Sequence, residues 1–215
     1  MPEGDTIHKV AAAMRPRLEG AMLEHLWARD LDLRRLAGAR VLDVDALGKH
    51  LVIAVEGDRT LRSHLGMHGS WHRYPAGKPW KRPRRQASLV VATVADEFVC
   101  FNAKEVECLR TTGIRNANFV ARLGPDLIAD APDPSVLVAR TRELGDPEMS
   151  LADVMLDQRL ASGVGNVYKS EVLFLERCNP WTPLGIVDDA LLHDLWVHAA
   201  TLLRANLHGG RRVTR

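Results

Sequence analysis

Cysteine is scarce in this sequence: only Cys100, Cys108 and Cys178 occur in 215 residues, and no two of them form a C-x-x-C pair. Neither a disulfide framework nor a zinc site can be written from them, and buried packing is their expected role. Long apolar runs are absent too. No segment reaches the roughly 18 residues that a membrane-spanning helix needs. The opening Met1-Pro2-Glu3-Gly4-Asp5 is acidic and polar where a signal peptide is basic and then apolar, so a cytoplasmic protein is expected. Nor does charge of one sign dominate. With 29 Lys and Arg against 27 Asp and Glu, the formal net charge is +2, too small to establish a polyanionic partner, because phosphate affinity depends on where cations lie. They lie unevenly: Lys78, Lys81, Arg82, Arg84 and Arg85 crowd one short stretch, and Arg204, Arg211, Arg212 and Arg215 gather near the end. No internal repeat is present.

With 46% hydrophobic and 26% charged residues, the chain has the composition of a folded protein holding one large or two small cores. Ile7, Val10, Ala11 and Met14 recur at helical spacing, which predicts an N-terminal helix with Asp5 or Thr6 as its N-cap and Pro16 and Gly20 at its end. From 21 to 127 the pattern is one of short strands, over 22–27, 40–44, 50–55, 59–74, 88–94 and 97–109, punctuated by Gly, Asp and Pro. This predicts a sandwich or barrel of antiparallel strands, with 75–85 as an exposed loop. The proline-rich segment between Gly124 and Pro134 disfavours both element types and marks a boundary, giving domains 1–130 and 131–215. Helices are expected at 135–144, 151–158, 167–177 and 189–206, the last with Leu191, Leu192, Leu195, Trp196, Ala199 and Leu203 on one side. The fold class is α+β.

Four short motifs carry chemistry. Removal of Met1 would expose the secondary amine of Pro2, and an α-amino group keeps a useful neutral fraction near neutral pH. Such an amine can attack a sugar C1′ and form an iminium, with Glu3 beside it to move protons. The plain alternative is an ordinary helix lead-in. Lys49, in Gly48-Lys49-His50-Leu51, sits at a turn entering an apolar strand, either as a phosphate clamp or as an edge charge that discourages aggregation. Ser63-His64-Leu65-Gly66-Met67-His68-Gly69 places a flexible apolar residue between glycines, suited to a wedge that enters a base stack or to a hairpin with Met67 packed beneath. The segment from Asp157 to Glu171 reads as helix, glycine turn and helix, with Asn166 as cap and free N–H groups for a phosphate.

Together, the PEG start, Gly48-Lys49, the Ser63 to Met67 loop and the Asp157 to Glu171 segment resemble the formamidopyrimidine-DNA glycosylase and endonuclease VIII family over nearly the whole chain. The PEGDT opening is most similar to actinobacterial endonuclease VIII-like members. The resemblance implies a β-sandwich catalytic domain followed by a helix-two-turn-helix domain, acting in base-excision repair on oxidised bases, more probably pyrimidines, with β/δ-elimination at abasic sites. Pro2 would be the Schiff-base nucleophile, Glu3 the proton-transfer group and Lys49 an assisting cation that holds a phosphate. Met67 would fill the gap left by a flipped nucleotide with His68 beside it, and Asn166, Gly163, Gly165 and Lys169 would hold the DNA backbone. The implied partner is double-stranded DNA with damaged bases or abasic sites, bound by a monomer with no cofactor.

The sequence departs from the family pattern in three places. Thr6 stands where many members carry a glutamate. Lys104, in 102–107, stands where some relatives insert arginine and phenylalanine opposite the lesion. The family's C-terminal zinc-finger hairpin has no counterpart before Arg215, which leaves a truncated and a naturally fingerless chain equally open and predicts no metal. Abasic-site cleavage is therefore expected to survive better than excision of intact damaged bases. A catalytically silent lesion-binding module, and an RNA-binding role for the helical half, stand as alternatives. The 75–85 loop is either a solvated mobile loop or a DNA contact.

Overall fold

Helix α1 (Gly4–Leu18) follows the predicted apolar stripe: Ile7, Ala11 and Met14 are buried and Val10 half-buried, and Leu18, not part of that reading, extends the buried face. It starts earlier than expected. The carbonyl of Glu3 accepts from the N–H groups of Thr6 and Ile7, so Glu3 holds the cap position, and Asp5 uses its carboxylate elsewhere. Pro16 lies within the last turn, and Gly20 follows the helix in the left-handed region.

The computed structural model describes residues 1–208, 210 and 212–214, so Arg211 and Arg215 of the terminal basic group lie outside the described residues. It packs as two units. The first comprises residues 1–2 and 10–118, the second residues 3–9 and 119–215.

The first unit holds eight strands: β1 (His25–Ala28), β2 (Val41–Leu47), β3 (His50–Val55), β4 (Arg59–His64), β5 (Ser70–Pro75), β6 (Ala87–Ala92), β7 (Asp96–Phe101) and β8 (Glu105–Arg110). They form two four-stranded antiparallel sheets, ordered β1-β6-β7-β5 and β2-β3-β4-β8. Two segments read as single strands are each two strands, one in either sheet. The stretch 59–74 breaks at the Leu65 to Gly69 turn, and 97–109 breaks at Asn102, which adopts a positive φ of 49°. Alternation decides which face is dry. Val44, Ala46, Leu51, Ile53 and Leu61 of one sheet, and Leu89, Val91, Phe98 and Cys100 of the other, are almost fully buried. The Trp71 indole N–H of β5 donates to Ser63 Oγ of β4 at 3.2 Å, joining the two inner faces. Arg15 and Arg17 fix the second half of α1 to this unit, through the Val44 carbonyl and Asp45, and through Asp96.

Helix α2 (Ile114–Arg122) has no buried side chain, and the second unit holds α3 (Pro134–Leu144), α4 (Leu151–Leu156), α5 (Asn166–Leu175) and α6 (Asp189–Ala205). The first four residues of α2 and Asn118 fall in the first unit and the rest in the second. The strand pattern expected as far as 127 ends before this helix. A single core runs through the second unit, with Leu127, Val154, Leu160, Val172, Leu195 and Trp196 at its centre. The buried Trp196 N–H is satisfied by Thr141 Oγ1 at 3.1 Å. Among the described residues no helix is long and apolar enough to cross a membrane.

Candidate active site

The candidate site residues of the helical unit lie at the turn between α4 and α5. Gln158 shapes it. Its carboxamide donates to the carbonyls of Leu156 (2.7 Å) and Val164 (3.1 Å) and accepts from the Gly163 N–H (3.2 Å). Gly163 needs to be glycine, since its φ is +111° and its carbonyl accepts from the Gly4 N–H at 2.9 Å. A Cβ on Gly4 would lie 2.9 Å from Gly163 Cα, so the glycine of the PEG motif and the first glycine of the turn meet backbone to backbone.

This contact delivers Glu3 to the start of α5. The Glu3 side chain is fully buried, and its carboxylate accepts from the N–H groups of Gly165 (2.7 Å), Val167 (2.8 Å) and Tyr168 (3.4 Å). A helix N-terminus offers unpaired N–H groups and a positive dipole end, both of which favour a negative charge. Gly165 is required for this close approach, because a Cβ there would sit 2.5 Å from Glu3 Cδ.

The expected anion cradle is therefore corrected. The N–H groups of Gly163 and Gly165, read as phosphate donors, are engaged by Gln158 and Glu3. Asn166 does not cap the helix; it is the first helical residue, Gly165 occupies the cap position without a side-chain cap, and Glu3 supplies the acceptor from 162 residues away. The Asn166 side chain is exposed and accepts from Lys169 Nζ at 3.3 Å, so these two predicted residues form one polar pair beside the turn.

A second buried charge anchors the same helix start. Asp5, 1% exposed, accepts from both Arg212 guanidinium nitrogens, Nε at 3.2 Å and Nη2 at 2.5 Å, and pairs with Lys9 at 3.3 Å. Arg212 also donates to Thr6 Oγ1 and lies over the Tyr168 ring at 4.9 Å. Burial works against the charged guanidinium, but the Asp5 bonds outweigh it and raise its pKa. Burial, with Asp5 beside it, raises the Tyr168 phenol. The segment carrying Arg212 is held to α6 by Asn206, whose side chain pairs with both the N–H and the carbonyl of Val213 at 2.7 Å. From the sequence Asp5 was read only as a candidate N-cap and Arg212 only as one of a terminal basic group, and Gln158 was given no role, because nothing local shows that Asp5 and Arg212 pair or that Gln158 braces the turn.

In the first unit, Lys49 stands half-buried at the tip of the β2–β3 hairpin, where Leu47 faces His50 across a two-residue turn. His50 pairs with His64 on β4, ring centroids 4.7 Å apart. Burial, and the neighbouring His64, Arg62 and Lys49, lower the His50 pKa to about 3; burial also lowers that of His64. Two neutral imidazoles thus sit within a group of permanent cations. Met67 is 69% exposed at the β4–β5 turn, which excludes the reading in which it packs beneath a hairpin, and His68 is exposed beside it. Pro2 is half-buried and Met1 exposed. Among the described residues no three His, Cys, Asp or Glu side chains gather as metal ligands.

Residues 1–115 match the formamidopyrimidine-DNA glycosylase N-terminal domain, and residues 123–215 match the H2TH domain of the same family. The chain belongs to the formamidopyrimidine-DNA glycosylase family. This is a family of base-excision-repair enzymes, DNA glycosylases with abasic-site lyase activity, that includes the endonuclease VIII group. Among its curated relatives, a probable endonuclease 8 2 of Streptomyces coelicolor is 37% identical over 212 residues, covering 96% of this chain and 74% of that protein. The DNA-(apurinic or apyrimidinic site) lyase Nei2 of Mycolicibacterium smegmatis is 37% identical over 196 residues, covering 89% and 73%. In fold, the chain superposes on Lactococcus lactis formamidopyrimidine-DNA glycosylase, solved in complex with DNA containing an N7-benzyl-Fapy-dG, with a TM-score of 0.81 at 19% identity over 96% of this chain and 79% of that one.

Proposed function

We propose that this chain is a bifunctional DNA glycosylase and abasic-site lyase of the cytoplasm that acts through the amine of Pro2, with oxidised pyrimidines as its preferred lesions. The observation that carries this reading is the fixation of Glu3. Three main-chain N–H groups hold its carboxylate at a helix start, directly after the residue whose nitrogen becomes an amine once Met1 is removed. Positioning of this kind is what proton transfer in a covalent mechanism requires.

The neutral Pro2 nitrogen attacks C1′ of the damaged nucleotide as the C1′ to base bond breaks, and the proton lost from the nitrogen goes to the departing base. The C1′–O4′ bond then breaks, O4′ takes a proton from Glu3, and the nitrogen lone pair closes the iminium. The resulting iminium draws electrons from C2′, and Glu3 takes the C2′ proton. The electron pair moves into the C2′–C3′ bond, and the 3′ phosphate departs. A second elimination releases the 5′ phosphate, and hydrolysis of the iminium returns the amine. Lys49, and the Asn166 and Lys169 pair, are the proposed phosphate holders, and Met67 with His68 the proposed wedge. The exposure of Met67 supports that role, since a group that enters a base stack has to be available to it. The likeness to proteins named endonuclease 8 supports the pyrimidine preference.

The test is single-turnover cleavage of three duplexes carrying an abasic site, an oxidised pyrimidine or 8-oxoguanine. The expected order of rates is the order of that list. Equal or faster excision of 8-oxoguanine would overturn the pyrimidine preference. Cleavage of none of the three, by protein starting at Pro2, would overturn the enzymatic reading.

A further inference from the structure

The basic 78–85 segment is not a freely solvated loop. It is fastened to one face of the β1-β6-β7-β5 sheet at several points. Trp80 packs on a small cluster formed by Tyr74, Val90, Val99 and Phe101, and its indole N–H donates to Glu97 Oε2 at 2.6 Å. Arg29 donates to the Arg85 and Ala87 carbonyls, and the Tyr74 hydroxyl accepts from the Lys81 N–H. The Arg84 guanidinium lies 4.8 Å over the Trp80 ring. Cross-strand register puts Trp27, Val90, Val99 and Tyr74 on the same face, opposite to the one that carries Leu89, Val91 and Phe98. Trp27 stays 41% exposed there. Between Trp27 and Trp80 lies a cleft of about 260 Å³, with Val90 and Glu97 among its lining and Arg84 at its side.

Aromatic faces set among cations are what a strand with unpaired bases recognises. Each base has a flat face to stack, and each phosphate a negative charge to pair. From Pro75 to Gln86 the sequence holds five Lys and Arg and no acidic residue. Glu97 decides between anionic partners. It would repel the side-chain carboxylates of an acidic peptide, whereas the ring N–H and amino groups of a nucleobase can donate to it. A paired base is excluded from a slot of this width by its partner strand.

We propose that this face of the sheet is a second nucleic-acid site, which takes an unpaired nucleobase between Trp27 and Trp80 and the adjoining phosphates on Lys78, Lys81, Arg84 and Arg85. The site does not depend on Pro2 chemistry. The β4–β5 turn with Met67 and the 75–85 loop stand at opposite ends of β5, a six-residue strand that is roughly 20 Å long at about 3.3 Å per residue. A strand opened at one end of β5 thus meets a base-binding slot at the other.

The experiment measures fluorescence anisotropy of a labelled oligothymidylate on the full chain, with saturating non-cleavable abasic-analogue duplex present. The duplex keeps the lesion-binding residues occupied. Trp27→Ala is the primary variant, because Trp27 is exposed and its removal leaves the core intact. It is expected to weaken single-strand binding about tenfold, the loss of one base–aromatic stack, while abasic-duplex cleavage stays within twofold of the parent. Arg84→Ala is expected to weaken binding severalfold and to flatten its salt dependence. Unchanged affinity in both variants overturns the proposal. So does equal competition by a backbone oligomer that lacks bases, or by polyglutamate, since either result would assign the surface to charge alone. Loss of cleavage in the parent protein leaves this binding assay intact, so failure of the catalytic reading and failure of this one are told apart.

Discussion

At the glycine turn of the helical unit the start of α5 is already filled by a carboxylate from the chain itself, while at the strand ends of the β unit a methionine points into solvent and cations cluster around neutral histidines. Both places were expected to meet DNA, yet they are built in opposite ways. The first spends its N–H groups on holding Glu3 in position, which makes it a mounting for the chemistry. The second leaves Met67, the proposed wedge, unpacked, which suits a surface that gains its contacts only when a ligand arrives. A helix N-terminus is thus not a phosphate site merely because it can be one. What it binds depends on which acceptor the fold delivers first.

The largest expected effect comes from emptying the mounting. Glu3→Gln keeps the size of the side chain but gives up the proton-transfer group, and abasic-site cleavage should fall by roughly 10²-fold to 10⁴-fold. Gly165→Ala should cost about 10²-fold without touching an ionisable group, because the new Cβ displaces the carboxylate. Single-turnover rates check both. Retention of full activity by Gly165→Ala would show that the position of Glu3 is unimportant.

Next in size is the buried pair behind the mounting. Arg212→Gln leaves Asp5 buried with Lys9 and Thr6 as its remaining partners, and should destabilise the protein by about 3 kcal/mol, the low end for stripping a partner from a buried charge. Chemical denaturation measures this. Restoration of most of the loss by the double variant Asp5→Asn with Arg212→Gln would confirm that the uncompensated carboxylate is the cause.

The β unit should respond in the opposite manner. Met67→Ala is expected to change stability by less than about 0.5 kcal/mol, as for any exposed side chain, while lowering affinity for a lesion duplex severalfold. A large loss of stability would place Met67 in the core.

The remaining effect concerns pH and not a lost contact. In the folded unit His50 stays neutral down to about pH 3, whereas in the unfolded chain it takes a proton below about 6.5. The unfolded state therefore binds the extra proton, and stability falls as pH drops from about 6.5 toward 3. His50→Gln should reduce the difference in urea midpoint between pH 7 and pH 5. An unchanged difference would mean that His50 is not held neutral.

Much of the architecture was legible because local periodicity encodes it. The N-terminal stripe, the 50–55 strand and the α6 face emerged much as read, with Ile7, Ala11 and Met14, and Leu192, Leu195, Trp196, Ala199 and Leu203, buried, and Val10 and Leu191 half-buried at the edges of their faces. Helix α2 escaped notice although Ile114, Ala117 and Ala121 recur at helical spacing, because its nine residues lie inside the stretch read as strands; none of its side chains is buried. The break at Asn102 was hidden among strand-forming neighbours, and only its positive φ reveals the turn. In the site, the PEG start and the glycine turn were each recognisable alone. That they form one structure was not, because the bonds from Gly165, Val167 and Tyr168 to Glu3 bridge more than 160 residues and no spacing rule reaches so far.

The account rests on the Pro2 nitrogen becoming the group that bonds to deoxyribose. The most direct measurement is intact mass, followed by peptide mapping, of protein starting at Pro2 after borohydride reduction in the presence of an abasic-site duplex. The account predicts a one-to-one adduct located on the N-terminal peptide and abolished when Met1 is retained. An adduct on a lysine peptide, or none from correctly processed protein, would contradict it.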